Sequence, residues 1–330
     1  MKRMAAQFQE ILALFERLDR FVLVTHMNAD GDGLGAQFAL AFFLRRRGKH
    51  VRIVNVDPLP KQYQFLATSL QPELYDPAQH DALLAGTDAI LIMDNSSANR
   101  LGTMRGPIEG SPAVKACIDH HPHPDTQWDV MVIDDQACAT GEIVYRLITE
   151  AAGRIEPEDA LPIYVSIVTD TGNFRFSNTT STVLSIASDL VAKGVDVPAV
   201  YQQIFERNSP SFVRLLGAAL ASIKQDETGR LGWIVLSRDF LQSVSADAED
   251  TSDIINGILT IDGTRVALLF KEIDEGKTKV SLRSKGTIDV NRLATEFGGG
   301  GHRNASGAVV ALPIDKAVEA ILPKARALIA

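Results

Sequence analysis

The sequence predicts an α/β protein with two domains, and three observations support this prediction. The chain has 330 residues, which is enough for two domains that each bury a core of their own. From residue 21 to about residue 190, short β-rich runs alternate with helical stretches, which is typical of a mainly parallel sheet with helices on both faces. Beyond about residue 215 the pattern changes to that of a smaller α+β domain.

The elements of the first domain follow from their residue patterns. Apolar, β-branched runs predict strands, and longer segments with helical spacing of apolar residues predict helices. The chain begins with the amphipathic helix MKRMAAQFQEILALFERLDR. The predicted strands are FVLVTH, HVRIVNV, TDAILIMD, AVKACIDHH and WDVMVID. The further predicted helices are GLGAQFALAFFLRRRGK, GEIVYRLITEAAG, EDALPIYVSIVTDTG and STVLSIASDLVAKG.

A helical segment is predicted to connect the two domains, because the proline of VDVPAV can start a helix and YQQIFERNSPSFVRLLGAALASI follows it. The predicted domains are therefore residues 1–190 and 215–330, joined by residues 191–214. The strands predicted in the second domain are GRLGWIVLS, TRVALLFKEI and TKVSLRS. The helices predicted there are TSDIINGIL, DVNRLATEFG and DKAVEAILPKARALIA.

Composition excludes several classes of protein. Hydrophobic residues make up 45% of the chain and charged residues 22%, as in a soluble globular protein. The net charge of -8 argues against a broad grip on long nucleic acid. Two cysteines are too few for a disulfide framework, and no apolar run approaches the roughly 20 residues that span a bilayer. We therefore expect a cytoplasmic protein that binds neither a membrane nor long nucleic acid.

Metal-type side chains follow the first predicted strand in VTHMNADGDGLGAQFAL. His26, Asp30 and Asp32 lie within seven residues there. The glycines at 31, 33 and 35 are expected to let the backbone turn tightly between strand and helix. GDGLGA does not match the G-x-G-x-x-G spacing, and three metal-type side chains would repel a pyrophosphate, so a dinucleotide site is disfavoured.

Three further apolar segments also end in aspartate or histidine. They deliver Asp94, then Asp119, His120 and His121, and finally Asp170. Carboxylates that meet at one edge of a sheet repel each other unless cations neutralise them. Several carboxylates with few histidines favour Mn²⁺ or Mg²⁺ over structural zinc, and this number of ligands suggests two ions that share one bridging carboxylate.

Five motifs resemble a known family. HMNADGDG, IMDNSS, IDHH and VTDTG resemble those of the DHH phosphoesterase superfamily, and FGGGGHRNASGA resembles the Gly-Gly-Gly-His motif of its DHH-associated C-terminal domain. The chain is most similar to the bacterial bifunctional nanoRNase (oligoribonuclease) and pAp phosphatase group, which is RecJ-like. The resemblance covers nearly the whole chain. One departure, Asn-Ala-Ser-Gly at 304–307 where many relatives read Ala-Ala-Gly, puts the local hydrogen bonds in doubt.

The resemblance implies a division of labour. The first domain would be the metal-binding catalytic domain and the second the substrate-binding domain, with a cleft between them. One metal ion would be held by His26, Asp30 and Asp94. The other would be held by Asp32, Asp94, His120 and Asp170, so that Asp94 bridges. The predicted catalytic residues are Asp119, which would orient a histidine, His120, and His121, which would face the scissile phosphate.

A second set of residues is predicted to bind substrate. Glycines before a histidine let the backbone approach a phosphate or a base and direct N–H groups at it, and nearby basic side chains add charge. The predicted substrate-binding residues are Arg283, Lys285, Gly299, Gly300, Gly301, His302 and Arg100. A mobile hinge for the glycines and a solvated surface position for Lys285 are the competing interpretations.

The sequence therefore predicts a phosphoesterase with two divalent cations, Mn²⁺ being favoured and Mg²⁺ or Co²⁺ being alternatives. Its expected substrates are short RNA oligonucleotides, hydrolysed to mononucleotides, and 3′-phosphoadenosine 5′-phosphate (pAp), hydrolysed to AMP. A phosphodiesterase for linear or cyclic dinucleotides, such as pApA or c-di-AMP, is the alternative within the class. A catalytically inactive nucleotide-sensing module is the alternative from another class, and a homodimer is left open.

Overall fold

The computed structural model describes residues 2–122, 124–244 and 252–329, and it divides the chain into two compact units. The first unit is Met1–Arg207 and the second is Asn208–Ala330. Among the described residues, no helix combines the length and the apolar character that crossing a bilayer requires.

The first unit alternates strands and helices along the chain. Its strands are β1 (Arg20–Val24), β2 (His50–Asn55), β3 (Glu73–Leu74), β4 (Ala89–Met93), β5 (Val114–Asp119) and β6 (Val130–Ile133). Its helices are α1 (Lys2–Arg17), α2 (Gly31–Arg46), α3 (Pro77–Gly86), α4 (Arg105–Gly110), α5 (Thr140–Ala152), α6 (Pro157–Asp170), α7 (Ser181–Ala192) and α8 (Val197–Phe205). Short 3₁₀ helices span Lys61–Leu66 and Ala98–Met104.

The six strands form one parallel sheet in the order β3-β2-β1-β4-β5-β6. The direction of winding reverses between β1 and β4. In open α/β sheets, a crevice forms outside the carboxyl ends of the strands at such a reversal, and ligands bind there. The topology therefore indicates the ends of β1 and β4 as the place for a site.

Both faces of this sheet are buried. One face packs on α1, α2, α5 and α6 through strand residues such as Leu23 and Leu91. The other packs on α3, α4 and the second 3₁₀ helix through Val22, Ile90 and Ile92. Because both faces are covered, the strands are almost continuously apolar, which made them recognisable in the sequence. The predicted parallel α/β architecture is confirmed.

The second unit is a mixed α+β domain. Its strands are β7 (Lys224–Gln225), β8 (Leu231–Leu236), β9 (Val266–Asp274), β10 (Lys277–Ser284), β11 (Gly300–His302) and β12 (Ala305–Val310). Its helices are α9 (Pro210–Ala221), α10 (Arg238–Ser243), α11 (Ser252–Ile258), α12 (Val290–Glu296) and α13 (Ile314–Ala327). The strands form a sheet in the order β11-β12-β10-β9-β8-β7, in which only the β8 and β9 pair is parallel.

The face of this second sheet that carries Phe270 and Leu282 packs on α12 and α13. On the opposite face, Ile234, Ala267 and Leu269 pack on α9 and α11. These helices cover β8 and β9 on that face. The strands β11 and β12, which run through the glycine-rich motif, were not predicted from the sequence.

The glycines after β1 do not have the role expected from the sequence. Gly31, Gly33 and Gly35 all lie inside α2, and none has a positive φ; the left-handed residue of the turn is Asn28, with a φ of 56°. A Cβ on Gly31 would lie 2.2 Å from Oγ1 of Thr169, and a Cβ on Gly35 would lie 2.4 Å from a backbone oxygen of α6. Gly31 and Gly35 therefore permit α2 to pack closely against α6, whereas a Cβ on Gly33 would lie 2.4 Å from Oγ1 of Thr25.

Candidate metal centre

The predicted metal-type residues converge at one edge of the parallel sheet. His26 follows β1, Asp94 follows β4, and Asp119 ends β5, which are three neighbouring strands. The remaining residues come from helices or from the adjoining loop. Asp30 and Asp32 lie at the start of α2, His120 and His121 follow β5, and Asp170 is the last residue of α6. Asp170 thus reaches the cluster from a helix and not from a strand.

The first group of candidate ligands is His26, Asp30 and Asp94, each of which offers an atom within 4.8 Å of the others. Nδ1 of His26 lies 2.8 Å from the carbonyl oxygen of Met27, which can only accept a hydrogen bond. Nδ1 therefore carries the hydrogen, and Nε2 faces Oδ2 of Asp94 at 3.4 Å. A cation or a proton is needed between these two acceptors.

The second group is Asp32, His120 and Asp170, and its atoms also lie within 4.8 Å of one another. Nε2 of His120 lies 3.3 Å from Oδ2 of Asp32 and 3.6 Å from Oδ2 of Asp170. Its other ring nitrogen lies 3.2 Å from the carbonyl oxygen of Ala137, which again directs Nε2 toward the carboxylates.

Asp94 joins the two groups. Its Oδ2 faces His26, whereas its Oδ1 lies 3.7 Å from Nε2 of His120. The side chain is buried, and the residue has a φ of 55°, which is uncommon for a residue other than glycine. Strained backbone is concentrated at functional sites, where the surrounding structure enforces it. The two oxygens of Asp94 are thus divided between the two groups of ligands.

Asp119 is fully buried and holds His121. Its Oδ1 accepts hydrogen bonds from the backbone N–H of His121, at 3.1 Å, and from Nδ1, at 2.7 Å. Burial alone would lower the pKa of His121, but the carboxylates of Asp119 and Asp94 outweigh it and raise that pKa to about 11. In the protein without a metal ion, His121 is therefore a cation whose orientation Asp119 fixes.

Burial and mutual repulsion disfavour the ionised form of two carboxylates in this cluster. Burial, together with the carboxylates of Asp94 and Asp170, raises the pKa of Asp32 well above its usual range. Burial also raises the pKa of Asp170 to about 7 against the opposing effect of His120. In Asp94, burial is outweighed by His121 and His26, which lower the pKa of that carboxyl.

The donor set fits hard divalent cations. The two groups offer carboxylate oxygens with one imidazole each, and no cysteine takes part. An octahedral Mg²⁺ has ligands at about 2.1 Å, which places neighbouring ligand atoms about 3 Å apart. The separations of 3.3 to 3.7 Å in this cluster exceed that spacing by less than about 1 Å. The cluster therefore indicates dependence on divalent cations.

The predicted substrate residues of the second unit share one region of its sheet. Arg283 in β10 and His302 in β11 both pair with Ala305 of β12, so all three side chains project from the same face. Arg283 is partly buried and Lys285, just beyond β10, is exposed. Arg100 lies in the first unit, in the second 3₁₀ helix, where its carbonyl oxygen accepts a hydrogen bond from the backbone N–H of Met27.

Two of the glycines before His302 are required, each for a different structural reason. A Cβ on Gly299 would lie 2.1 Å from the carbonyl oxygen of Gly307, and Gly301 has a φ of 137°. Gly300 has open space around its Cβ position. Gly300 and Gly301 are paired with β12 as part of β11, so the competing interpretation of a mobile hinge is not favoured for them.

Two polar residues of the centre were not predicted from the sequence. Thr140, the first residue of α5, and Ser166, within α6, are completely buried and donate hydrogen bonds to carboxylates of the cluster. Neither residue follows a strand or belongs to a charged motif. The only sequence signal was a hydroxyl side chain within an otherwise apolar helical stretch.

Comparison with known families gives two matches along the chain. The family described as "DHH family, N-terminal domain" matches residues 20–169. The family described as "DHHA1 domain" matches residues 238–330. The first match contains every predicted metal-type residue except Asp170, and the second contains all predicted substrate residues except Arg100.

Individual relatives cover most of the chain. The protein from Thermus thermophilus named "Bifunctional oligoribonuclease and PAP phosphatase NrnA" is 31% identical over 305 residues, covering 92% of this chain and 88% of that protein. The protein of the same name from Bacillus subtilis is 28% identical, covering 91% and 92%. The crystal structure of an exopolyphosphatase-related protein from Bacteroides fragilis superimposes with a TM-score of 0.90 at 30% identity, covering 97% of this chain and 95% of that one.

Proposed function

Since this chain belongs to the DHH family of phosphoesterases and carries a DHHA1 domain, we propose that it hydrolyses short RNA oligonucleotides to mononucleotides and pAp to AMP, using two Mn²⁺ ions. Hydrolysis of phosphoester bonds follows from membership of the family. The substrates are those that the names of the Thermus thermophilus and Bacillus subtilis relatives state.

The observation that carries the proposal is the position of Asp94 between two groups of ligands. His26 and Asp30 lie on the Oδ2 side of its carboxylate, and His120 lies on the Oδ1 side together with Asp32 and Asp170. When bound, two divalent cations activate water for attack and neutralise the charge that develops on the phosphoryl group. A single carboxylate that reaches both groups is what a two-cation centre requires.

Side chains around the centre would handle the substrate phosphate. His121 is partly exposed, and Asp119 fixes its orientation through the hydrogen bond to Nδ1, so its Nε2 is the ring atom that would contact a phosphoryl oxygen. Arg100 acts electrostatically on His26 and is a candidate for a further phosphate contact. Both residues would bind and orient the phosphoryl group, while the carboxylates hold the cations.

The second unit would bind the part of the substrate beyond the cleaved bond. Arg283 and His302 project from the same face of its sheet, and the strand between them carries only the small residue Ala305 at that position. A guanidinium binds phosphate with paired hydrogen bonds, and an imidazole can stack on a base or donate to phosphate. Lys285 and the backbone of Gly300 and Gly301 would add to this contact, whereas the N–H of Gly299 already donates a hydrogen bond to the carbonyl oxygen of Ala294.

A substrate screen under one metal condition tests the proposal. Purified metal-free enzyme is supplied with Mn²⁺, then assayed on dinucleotides, RNA of about 25 nucleotides, pAp, pApA, c-di-AMP and pyrophosphate. Because the net charge of -8 gives no broad attraction for a long polyanion, we expect the highest kcat/KM on dinucleotides and pAp. Comparable rates on long RNA, or hydrolysis of c-di-AMP alone, would contradict the proposed substrates. Absence of turnover on all of them would support an inactive sensing module instead.

A further inference from the structure

We infer that Thr140 is a positioning residue that holds the two metal-binding carboxylates Asp94 and Asp32 in a fixed relation and thereby sets the affinity for cations. The inference rests on the proposed two-cation centre and concerns a residue whose hydroxyl and backbone N–H bond to its carboxylates. Thr140 fixes the two carboxylates in the metal-free protein.

Thr140 contacts both carboxylates at once. Its hydroxyl Oγ1 donates a hydrogen bond of 2.9 Å to Oδ1 of Asp94. Its backbone N–H donates a second bond of 2.9 Å to Oδ2 of Asp32. Asp94 follows strand β4 and Asp32 lies in helix α2, so a single residue of α5 links ligands that arrive on different elements. Thr140 is completely buried, which leaves no water to replace these bonds.

The remaining oxygen of Asp32 is fully used by two further donors. Its Oδ1 accepts hydrogen bonds from the backbone N–H of Gly141 at 3.2 Å and from Oγ of Ser166 at 2.5 Å. A carboxylate oxygen has two lone pairs, so both are occupied. Oδ2 accepts one hydrogen bond from the residues that the structure describes, that of Thr140, and it is the oxygen that lies 3.3 Å from Nε2 of His120. Asp32 therefore offers a single oxygen to a cation.

The backbone of α5 makes this arrangement possible. The first N–H groups of a helix have no acceptor within the helix, and here Asp32 supplies one for Thr140 and for Gly141. A side chain at position 141 would be excluded, because its Cβ would lie 2.0 Å from Oγ of Ser166. Glycine at this position thus lets Ser166 reach Asp32 and donate to it.

The hydroxyl of Thr140 supplies a hydrogen bond to Asp94, whereas its backbone N–H bonds to Asp32. Asp94 and Asp32 are both buried and repel each other when both are ionised. The Thr140 hydroxyl supplies one donor to Asp94 from the helix end that also holds Asp32, so the two carboxylates remain at a set separation. Without that donor, Oδ1 of Asp94 can turn toward His121, which lies 3.4 Å away.

The test compares three substitutions by calorimetric titration of the metal-free protein with Mn²⁺. Thr140→Val keeps the shape of the side chain and removes the hydroxyl, whereas Thr140→Ser keeps the hydroxyl. Loss of a group that orients a metal ligand typically weakens metal affinity about 10- to 100-fold. We expect that loss for Thr140→Val and an affinity of the wild-type order for Thr140→Ser. The matched control is Thr149→Val in the same helix, whose hydroxyl donates a hydrogen bond to the carbonyl oxygen of Tyr145.

Thermal unfolding of the metal-free variants separates positioning from a purely structural role. A structural role predicts that Thr140→Val lowers the melting temperature without metal and leaves the Mn²⁺ affinity of the folded protein unchanged, which would overturn the inference. If Thr140→Val does not fold, Thr140→Ala takes its place, because it also removes the hydroxyl that donates to Asp94. We expect about a 10-fold weaker affinity there, and wild-type affinity would contradict the inference.

The two hypotheses fail in different ways. Wild-type protein that binds no Mn²⁺ or hydrolyses none of the substrates contradicts the proposed function. Wild-type protein that binds and hydrolyses normally, together with a Thr140→Val variant of equal Mn²⁺ affinity, contradicts only the role of Thr140.

Discussion

The two units hold their candidate functional residues in different ways. In the first unit, Asp32, Asp94 and Asp119 are buried, and each accepts hydrogen bonds that fix its carboxylate. In the second, Arg283 is only partly buried and Lys285 is exposed, while the adjoining glycine segment owes its shape to strand pairing. The candidate site of the first unit therefore depends on side chains that are fixed in position. The candidate site of the second unit depends on backbone geometry and surface charge.

This difference suggests a division between chemistry and recognition. Under the proposed function, a buried carboxylate that orders the centre would be needed for every substrate, since it would hold the cations on which each reaction depends. A partly exposed arginine is needed only for substrates that reach it. Substitutions in the two units should consequently differ both in the size of their effect and in its dependence on the substrate.

The largest effect is expected for Asp94→Asn. The substitution keeps the size of the side chain and removes the charge that serves both groups of ligands. Removal of a single preorganised electrostatic contact costs about 100- to 1000-fold in kcat, and a shared carboxylate should reach or exceed the upper end of that range on all substrates. Initial rates on pAp, a dinucleotide and bis-p-nitrophenyl phosphate provide the measurement, and calorimetry should show fewer Mn²⁺ bound.

Asp135→Asn is the control for this substitution, because Asp135 is an exposed aspartate in the loop after β6. It should leave rates and metal stoichiometry as in the wild type. An Asp94→Asn enzyme with full turnover on any of the three substrates would falsify the two-cation assignment.

A smaller and selective effect is expected for Arg283→Ala and His302→Ala. A charge-assisted contact to phosphate contributes roughly 1.5 to 3 kcal/mol, which corresponds to about a 10- to 100-fold change. We expect kcat/KM on dinucleotides and pAp to fall by that factor. Hydrolysis of bis-p-nitrophenyl phosphate, which lacks a second nucleotide, should change little. His120→Ala is the contrasting variant and should impair every substrate, since His120 belongs to the cation centre.

Equal losses on the small activated diester and on the dinucleotides would place Arg283 in the catalytic centre. The comparison between the two units would then no longer describe a division between chemistry and recognition. A loss confined to pAp would instead show that Arg283 contacts the terminal phosphate.

The sequence was informative where local patterns determine the structure. Each of the strands β1, β4 and β5 is an apolar run that ends in a polar turn. The positions of His26, Asp94 and Asp119 at one edge of the sheet could therefore be predicted from the hydrophobic pattern and the residue types at the strand ends. The contacts of Thr140 and Ser166 could not. They join residues 108 and 134 positions from Asp32, and no local pattern encodes such a distance.

Glycine was the residue type most often misinterpreted. Gly31 and Gly35 suggested a turn, but their cause is the close approach of α2 and α6, which depends on a partner helix more than a hundred residues away. In the second unit, strand β11 could not be recognised because it begins within a run of four glycines. Glycine has a low preference for strands and gives no alternating pattern. Both errors arise because tertiary contacts decide what a glycine does.

The close approach of α2 and α6 can be tested by stability. Gly35→Ala places a Cβ 2.4 Å from the carbonyl oxygen of Pro162 and 2.8 Å from the backbone nitrogen of Ser166, so the helices must move apart. Overpacking of this kind typically costs about 1 to 3 kcal/mol in the free energy of unfolding. Gly86→Ala, at the end of α3 with open space around it, should be neutral or slightly stabilising. Urea unfolding of the metal-free proteins gives both values, and equal stability of the two variants would show that the helices can separate without cost.

The smallest effect is expected at the opposite end of the parallel sheet, where Asp88 accepts hydrogen bonds from the side chain and the backbone N–H of Arg20. These bonds lower the pKa of Asp88 to about 2. A carboxyl whose pKa is lower in the folded protein stabilises the fold above its unfolded pKa of about 3.9, and this contribution is lost as the pH falls toward 2. Because the Arg20 side chain is 60% exposed, solvent screening keeps this contribution small. The wild type should therefore exceed Asp88→Asn in unfolding free energy at pH 7 and at pH 5, and the difference should shrink at pH 3.

Turnover of pAp should be the same in both proteins, since this ion pair lies at the amino ends of β1 and β4 and the cation centre lies at their carboxyl ends. A pH-independent difference in stability would mean that the asparagine alters packing and not charge, and a loss of turnover would show that the two ends of the sheet are coupled.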